Sequence, residues 1–120
     1  MMLEITSFAD PGVIENERLV VKVLSDLDIG SYAVLLSGVS DAKTPISGRK
    51  TAYWFPDQEV KSGDLIVLYT KSGTRSKKEI ANGHTAHFYY WGLKEPIWGT
   101  LRTAVILRVA EWIHRVHEVD

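Results

Sequence analysis

Residues 53–73 read Tyr-Trp-Phe-Pro-Asp-Gln-Glu-Val-Lys-Ser-Gly-Asp-Leu-Ile-Val-Leu-Tyr-Thr-Lys-Ser-Gly. An aromatic strand breaks at Pro56 and turns through Lys61-Ser62-Gly63-Asp64. A second strand, Leu65 to Thr70, runs up to Ser72-Gly73. Short β-rich runs with polar Gly/Pro punctuation between them are the repeating unit of an all-β sandwich or barrel.

The rhythm extends in both directions from this stretch. In Glu17–Ser25, Leu19, Val21 and Val23 alternate with Arg18, Val20, Lys22 and Leu24, the pattern of a strand with one buried face. Asp26 to Ser31 is dense in turn formers. Tyr32–Leu36 is a short apolar run that predicts a core strand ending at Ser37-Gly38. Val39 to Gly48 carries Pro45 and is too polar for the core. Residues 71–83, with glycines near both ends and charges between, predict a long exposed loop. Thr85–Trp91 is a strand of high aromatic density, and Gly92–Pro96 a turn. Thr103–Trp112 is rich in valine and isoleucine and favours a strand, although Val105, Val109, Trp112, Val116 and Val119 also fit one helical stripe. No conformation is assigned beyond Trp112. The fold expected is an antiparallel β-sandwich of about seven to nine strands, in one domain spanning 1–120.

Composition agrees with that size. At 120 residues and 45% hydrophobic, the chain can bury roughly two-thirds of its unfolded surface without a staple. The absence of cysteine excludes disulfides, thiolate metal sites and a cysteine nucleophile. The first residues show neither a basic n-region nor an apolar h-region, and no apolar run approaches the length of a membrane span. A cytoplasmic protein without membrane contact is expected. Net charge is −1, unevenly distributed: residues 1–41 balance at −5, 42–78 at +5 and 79–120 at −1. The middle third is the one place where a local basic patch can form.

Several of these residues resemble the lamin tail domain. The resemblance is carried by Asn16-Glu17-Arg-Leu-Val-Val-Lys-Val, Tyr53-Trp-Phe-Pro and Val60-Lys-Ser-Gly-Asp-Leu-Ile-Val-Leu-Tyr-Thr. Trp91-Gly92, Pro96-Ile-Trp98-Gly99 and Thr103-Ala-Val-Ile-Leu107 extend it to about residues 15–112. Where that family commonly carries Gly-Trp entering its second strand, this chain has Ser31-Tyr32-Ala33-Val34, and Tyr32 can fill the same core volume. The resemblance implies an immunoglobulin-like sandwich that acts as a binding module, with no catalytic residues to carry over.

Candidate chemistry is sparse. Gly-x-Ser-x-Gly, Ser-x-x-Lys, Walker and Gly-x-Gly-x-x-Gly signatures are all missing, so neither an enzyme nor a cofactor is expected. His84-x-x-His87 and His114-x-x-His117 have imidazoles that suit zinc, but strand positions three apart face opposite sides. His84 and His87, beside an Asn-Gly turn, are the weak metal candidates. In an extended strand Phe88 and Tyr90 share one face, Tyr89 and Trp91 the other. Tyr89, Trp91 and Trp98 are therefore the candidate protein-docking surface, since exposed Tyr and Trp are preferred interface anchors. Lys71, Arg75, Lys77 and Lys78 are a candidate nucleic-acid contact of weak, salt-dependent kind. The expected function is a non-catalytic interaction module for a protein partner. The alternatives are a nucleic-acid-binding accessory domain or a small histidine-based metalloprotein. Closure of an aromatic face by self-association would give a homodimer.

Overall fold

Alternation decides which side chains meet. Leu19, Val21 and Val23 are all buried while Val20 is half-covered and Lys22 exposed. Ile66 and Leu68 share that core face, and Val67 between them is buried as well. The structure, a computed structural model, describes residues 1–118. It contains ten strands: β1 (Leu3–Ala9), β2 (Arg18–Val23), β3 (Leu27–Asp28), β4 (Tyr32–Gly38), β5 (Thr51–Trp54), β6 (Glu59–Val60), β7 (Leu65–Tyr69), β8 (Ser76–Glu79), β9 (Thr85–Tyr90) and β10 (Arg102–Arg108).

The chain is all-β. A five-stranded sheet in the order β1-β2-β7-β9-β8 packs against a three-stranded sheet, β10-β4-β5, with the two-residue pair β3-β6 beside them. Leu19, Val21, Ile66, Leu68 and Tyr89 from the larger sheet meet Tyr32, Val34 and Ala104 from the smaller one in a single core. Phe55, Ile29, Val60 and Trp98 complete that core from the connecting segments.

Four features depart from the sequence expectation. The ladder is not antiparallel throughout, because β7 and β9 run parallel, from Leu65 opposite Ala86 to Tyr69 opposite Tyr90. Parallel neighbours need a crossover, and residues 70–84 supply it. That crossover is not the plain loop expected. It carries β8, which pairs with the far side of β9 through Lys77 opposite His87 and Lys78 opposite Ala86. A lysine-bearing edge strand is a known device against edge-to-edge aggregation.

The aromatic strand β5 and the apolar strand β7, consecutive motifs in the sequence, belong to different sheets. Pro56 and the short β6 carry the chain across between them. Finally, β10 stops at Arg108 and no helix follows. Val109 N–H still bonds the Ser31 carbonyl at 2.7 Å, but β4 begins at Tyr32 and offers no further partner. The proposed helical stripe of Val105, Val109, Trp112 and Val116 is not formed, and its last member, Val119, lies outside the described residues.

The turn into β7 uses its glycine strictly. Gly63 has φ of +93°, and a Cβ there would lie 2.3 Å from Cε1 of His84. The His84 ring packs directly over the bare backbone. Gly63→Ala is therefore expected to cost about 1–3 kcal/mol from left-handed strain and the displaced ring, read as a lower urea midpoint.

Candidate functional site

Large apolar side chains reach solvent on the outer face of the three-stranded sheet. Core-facing positions of this sheet are Val34, Tyr53 and Ile106, opposite one another in register. The next row therefore points outward, and it consists of Leu107, Ala33 and Trp54. Two residues along each strand, Val105, Leu35 and Ala52 repeat this on the same outer side. All six side chains are apolar.

Trp54 is 50% exposed and Leu107 44%. Trp112, on the irregular segment after β10, is 57% exposed and meets Trp54 edge-on, ring centroids 5.3 Å apart and planes at 85°. Trp54 is not free to turn away. Its Nε1–H donates to the Gly30 carbonyl at 2.7 Å, which ties the indole to the short 3₁₀ turn Ile29–Ser31. A half-exposed indole fixed in one rotamer has already lost the entropy that docking would cost it.

The aromatic residues expected to form a docking surface lie elsewhere. Tyr89 is 1% and Trp98 3% exposed, and both belong to the core. Trp91 is half-buried against that core, in edge contact with Trp98. The parity of β9 is as alternation demands, but its Tyr89 face looks inward because it continues the row of Leu68 and Leu19. Phe88 and Tyr90 occupy the outer face, where Tyr90 stacks on Tyr69 at 5.2 Å and 11°. Arg18 and Lys71 sit over the Tyr69 ring at 5.8 and 5.3 Å.

The basic residues are similarly divided by strand geometry. Lys77 lies in register with His87 and Lys78 with Ala86, on opposite faces of β8. Lys71 reaches the outer Tyr69, whereas Arg75 crosses the inner Tyr89 ring at 5.5 Å and donates to Gln58 Oε1 at 2.7 Å. The four cations do not form one continuous patch. Nor do the two candidate histidines share a ligand. His84 rests on Gly63, while His87 Nε2 bonds Asp64 Oδ2 at 3.0 Å. Among the described residues no three His, Asp or Glu side chains converge to hold a metal ion, and no helix is long and apolar enough to cross a membrane.

Two buried carboxylates hold the framework that presents these faces. Glu17, at the entry to β2, is completely buried. One oxygen accepts from Gly12 N–H at 2.9 Å and Trp98 N–H at 3.1 Å, the other from Ile97 N–H at 2.9 Å and the Thr70 hydroxyl. Burial pushes this carboxyl up, but the bonds from Thr70, Gly12, Ile97 and Trp98 outweigh it and hold the group below the usual glutamate range. Glu17 thus fastens the 10–16 turn, the end of β7 and the 96–98 segment to one point.

Asp64 does the same at the other end of β7. It accepts from Lys61 N–H at 3.1 Å, Thr85 N–H at 3.0 Å and the His87 ring. Burial again opposes the charge, and the bonds from His87, Lys61 and Thr85 prevail, so its carboxyl is held down as well. Because a carboxylate only accepts, His87 Nε2 carries the proton in this bond. No sequence motif marks either clasp, although Asn16-Glu17 and Gly63-Asp64 both occur in the stretches that carry the lamin tail resemblance. No protein-family model matches the chain, and no curated protein matches it.

Proposed function

We propose that this chain is a non-catalytic interaction module, an immunoglobulin-like sandwich of the kind its resemblance to lamin tail domains implies. It docks a protein partner on the outer face of the three-stranded sheet, with Trp54 and Trp112 as anchors. The observation that carries this reading is the pair of half-exposed indoles in edge contact, one of them fixed by Gly30, above two apolar rows. Tryptophans in such positions dominate interface energetics, each typically contributing about 2 kcal/mol or more. The unpaired edge of β10 lies along the same face, where backbone groups of a partner strand can add to the sheet.

The buried carboxylates support the same reading from another side. Both are saturated by donors that serve the fold, so the charge they hold is spent on rigidity. The proposed docking then falls to the surface of the scaffold that these two clasps hold together.

The test compares the native chain with the double variant Trp54→Ala/Trp112→Ala as immobilised baits, and measures the affinity of whatever protein the native bait holds. Affinity is expected to fall at least about 30-fold per indole removed. A Lys22→Ala bait, altered on the other sheet, is expected to bind as the native chain does. A second copy of this chain counts as such a protein and shows as concentration-dependent sedimentation abolished by the same double variant. Binding that survives loss of both indoles overturns the assignment of this face.

A further inference from the structure

A shallow cleft of about 240 Å³ opens between the β8–β9 edge and the segment leading to β6, away from the indole-bearing face. Its walls are Gln58, Arg75, Ser76, Lys77, His87 and Tyr89. Every one of these side chains can hydrogen-bond, two are fixed cations, and none is a carboxylate. The adjoining cleft shares Gln58, Lys77 and His87, but there Glu59, Glu79 and Asp64 offset the cations. Negative charge is therefore favoured in the first cleft and opposed in the second.

The walls hold unused capacity. Tyr89 and His87 are both more than nine-tenths buried. The Tyr89 hydroxyl is enclosed and has no hydrogen-bond partner. Such orphans are rare in native proteins and call for an explanation. His87 spends Nε2 on Asp64, and its Nδ1 has no partner among the described residues. Arg75 is held by the neutral amide of Gln58, and neither it nor Lys77 is paired with an acid among the described residues.

We propose that this cleft binds a phosphate group. Two unpaired cations match its charge of about −1.5 to −2, and its three terminal oxygens can take the donors of Arg75, Lys77, Ser76 and Tyr89. A carboxylate offers one charge and two oxygens, which leaves a cation and several donors unused. His87 lines the cleft with its Nε2 tied to Asp64, so its ring reports on a ligand bound there. Binding requires the Gln58–Arg75 bond to open, so that the guanidinium lying over the Tyr89 ring can turn onto the ligand.

Titration with inorganic phosphate at low ionic strength, followed through the imidazole ring signals of the four histidines, tests this directly. A saturable shift confined to His87 is expected, with His84, His114 and His117 unmoved. Arg75→Ala and Lys77→Ala are each expected to weaken binding about tenfold, the loss of one charge-assisted bond. Lys22→Ala removes the same charge from the far face of the larger sheet and is expected to change nothing. Acetate is expected to bind at least tenfold more weakly than phosphate. An unsaturated response, equal shifts at all four histidines, an equal loss from Lys22→Ala or equal binding of acetate each overturns the proposal. A parallel titration with N-acetyl-phosphoserine amide identifies the source. Tighter binding than inorganic phosphate marks a phosphorylated side chain, and equal or weaker binding marks the free ion. Arg75 and Lys77 are exposed, so their variants fold, and neither touches the Trp54–Trp112 face.

Discussion

Glu17→Ala is expected to lower the stability of the fold by about 3–5 kcal/mol, because four donors lose their shared acceptor at once. Three backbone N–H groups, from Gly12, Ile97 and Trp98, lose their acceptor together with the Thr70 hydroxyl. Each buried donor left unpaired costs about 1–3 kcal/mol before relaxation. Glu17→Gln is expected to be damaging but less so than Glu17→Ala. An amide keeps one acceptor oxygen and turns an NH₂ toward the remaining donors. With the amide oxygen serving Gly12 and Trp98, the NH₂ faces the Thr70 hydroxyl, which can rotate to accept, and the Ile97 N–H, which cannot. Urea unfolding midpoints measure both variants, and a loss below about 1 kcal/mol for Glu17→Ala would contradict the clasp described here.

Asp64→Asn is expected to cost about 2–4 kcal/mol for the same reason, since it accepts from Lys61, Thr85 and His87 at once. The two carboxylates also set the acid limit of the fold. Each is held below its unfolded value, so the unfolded chain binds more protons over the intervening range. Their stabilisation is complete above the ordinary carboxylate range and is lost as pH falls through the lower folded values. The native protein is expected to lose stability steeply below the ordinary carboxylate range, and Glu17→Ala and Asp64→Asn to flatten that slope. Unfolding midpoints across an acid series check the sign, and an unchanged slope in both variants would contradict it.

Much of the fold is legible in the chain because strand alternation is a local property. Leu19, Val21 and Val23 were readable as one buried face from two-residue periodicity alone, and they line the core. Which face of β9 turns inward was not readable. Phe88/Tyr90 and Tyr89/Trp91 are equally aromatic, and the choice is made by the pairing of Tyr89 with Leu68, about 20 residues earlier in the chain. The same limit hid β8. Ser76–Glu79 is exposed along its whole length, so it has no hydrophobic signature and becomes a strand only because β9 offers an edge.

The proposed docking face differs from the one expected from the sequence. In Tyr53-Trp54-Phe55, alternation separates Trp54 from its neighbours, and Tyr53 and Phe55 do pack together in the interior. Attention to aromatic density favoured Tyr89, Trp91 and Trp98, whereas exposure singles out Trp54 and Trp112. Trp112 could not be foreseen, since its position depends on β10 running out of partners after Arg108. The partners of Glu17 lie 5 to 81 residues away, a convergence that no spacing pattern records.

The indole face is tested most directly by a photoreactive phenylalanine analogue placed at position 54 and, separately, at position 20 on the outer face of the larger sheet, in chain expressed in its native cell. If Trp54 and Trp112 anchor a partner, irradiation yields one defined protein adduct from position 54, absent from position 20 and lost when Trp112→Ala is added. Adducts of equal yield from both positions, or none from position 54, would contradict the account.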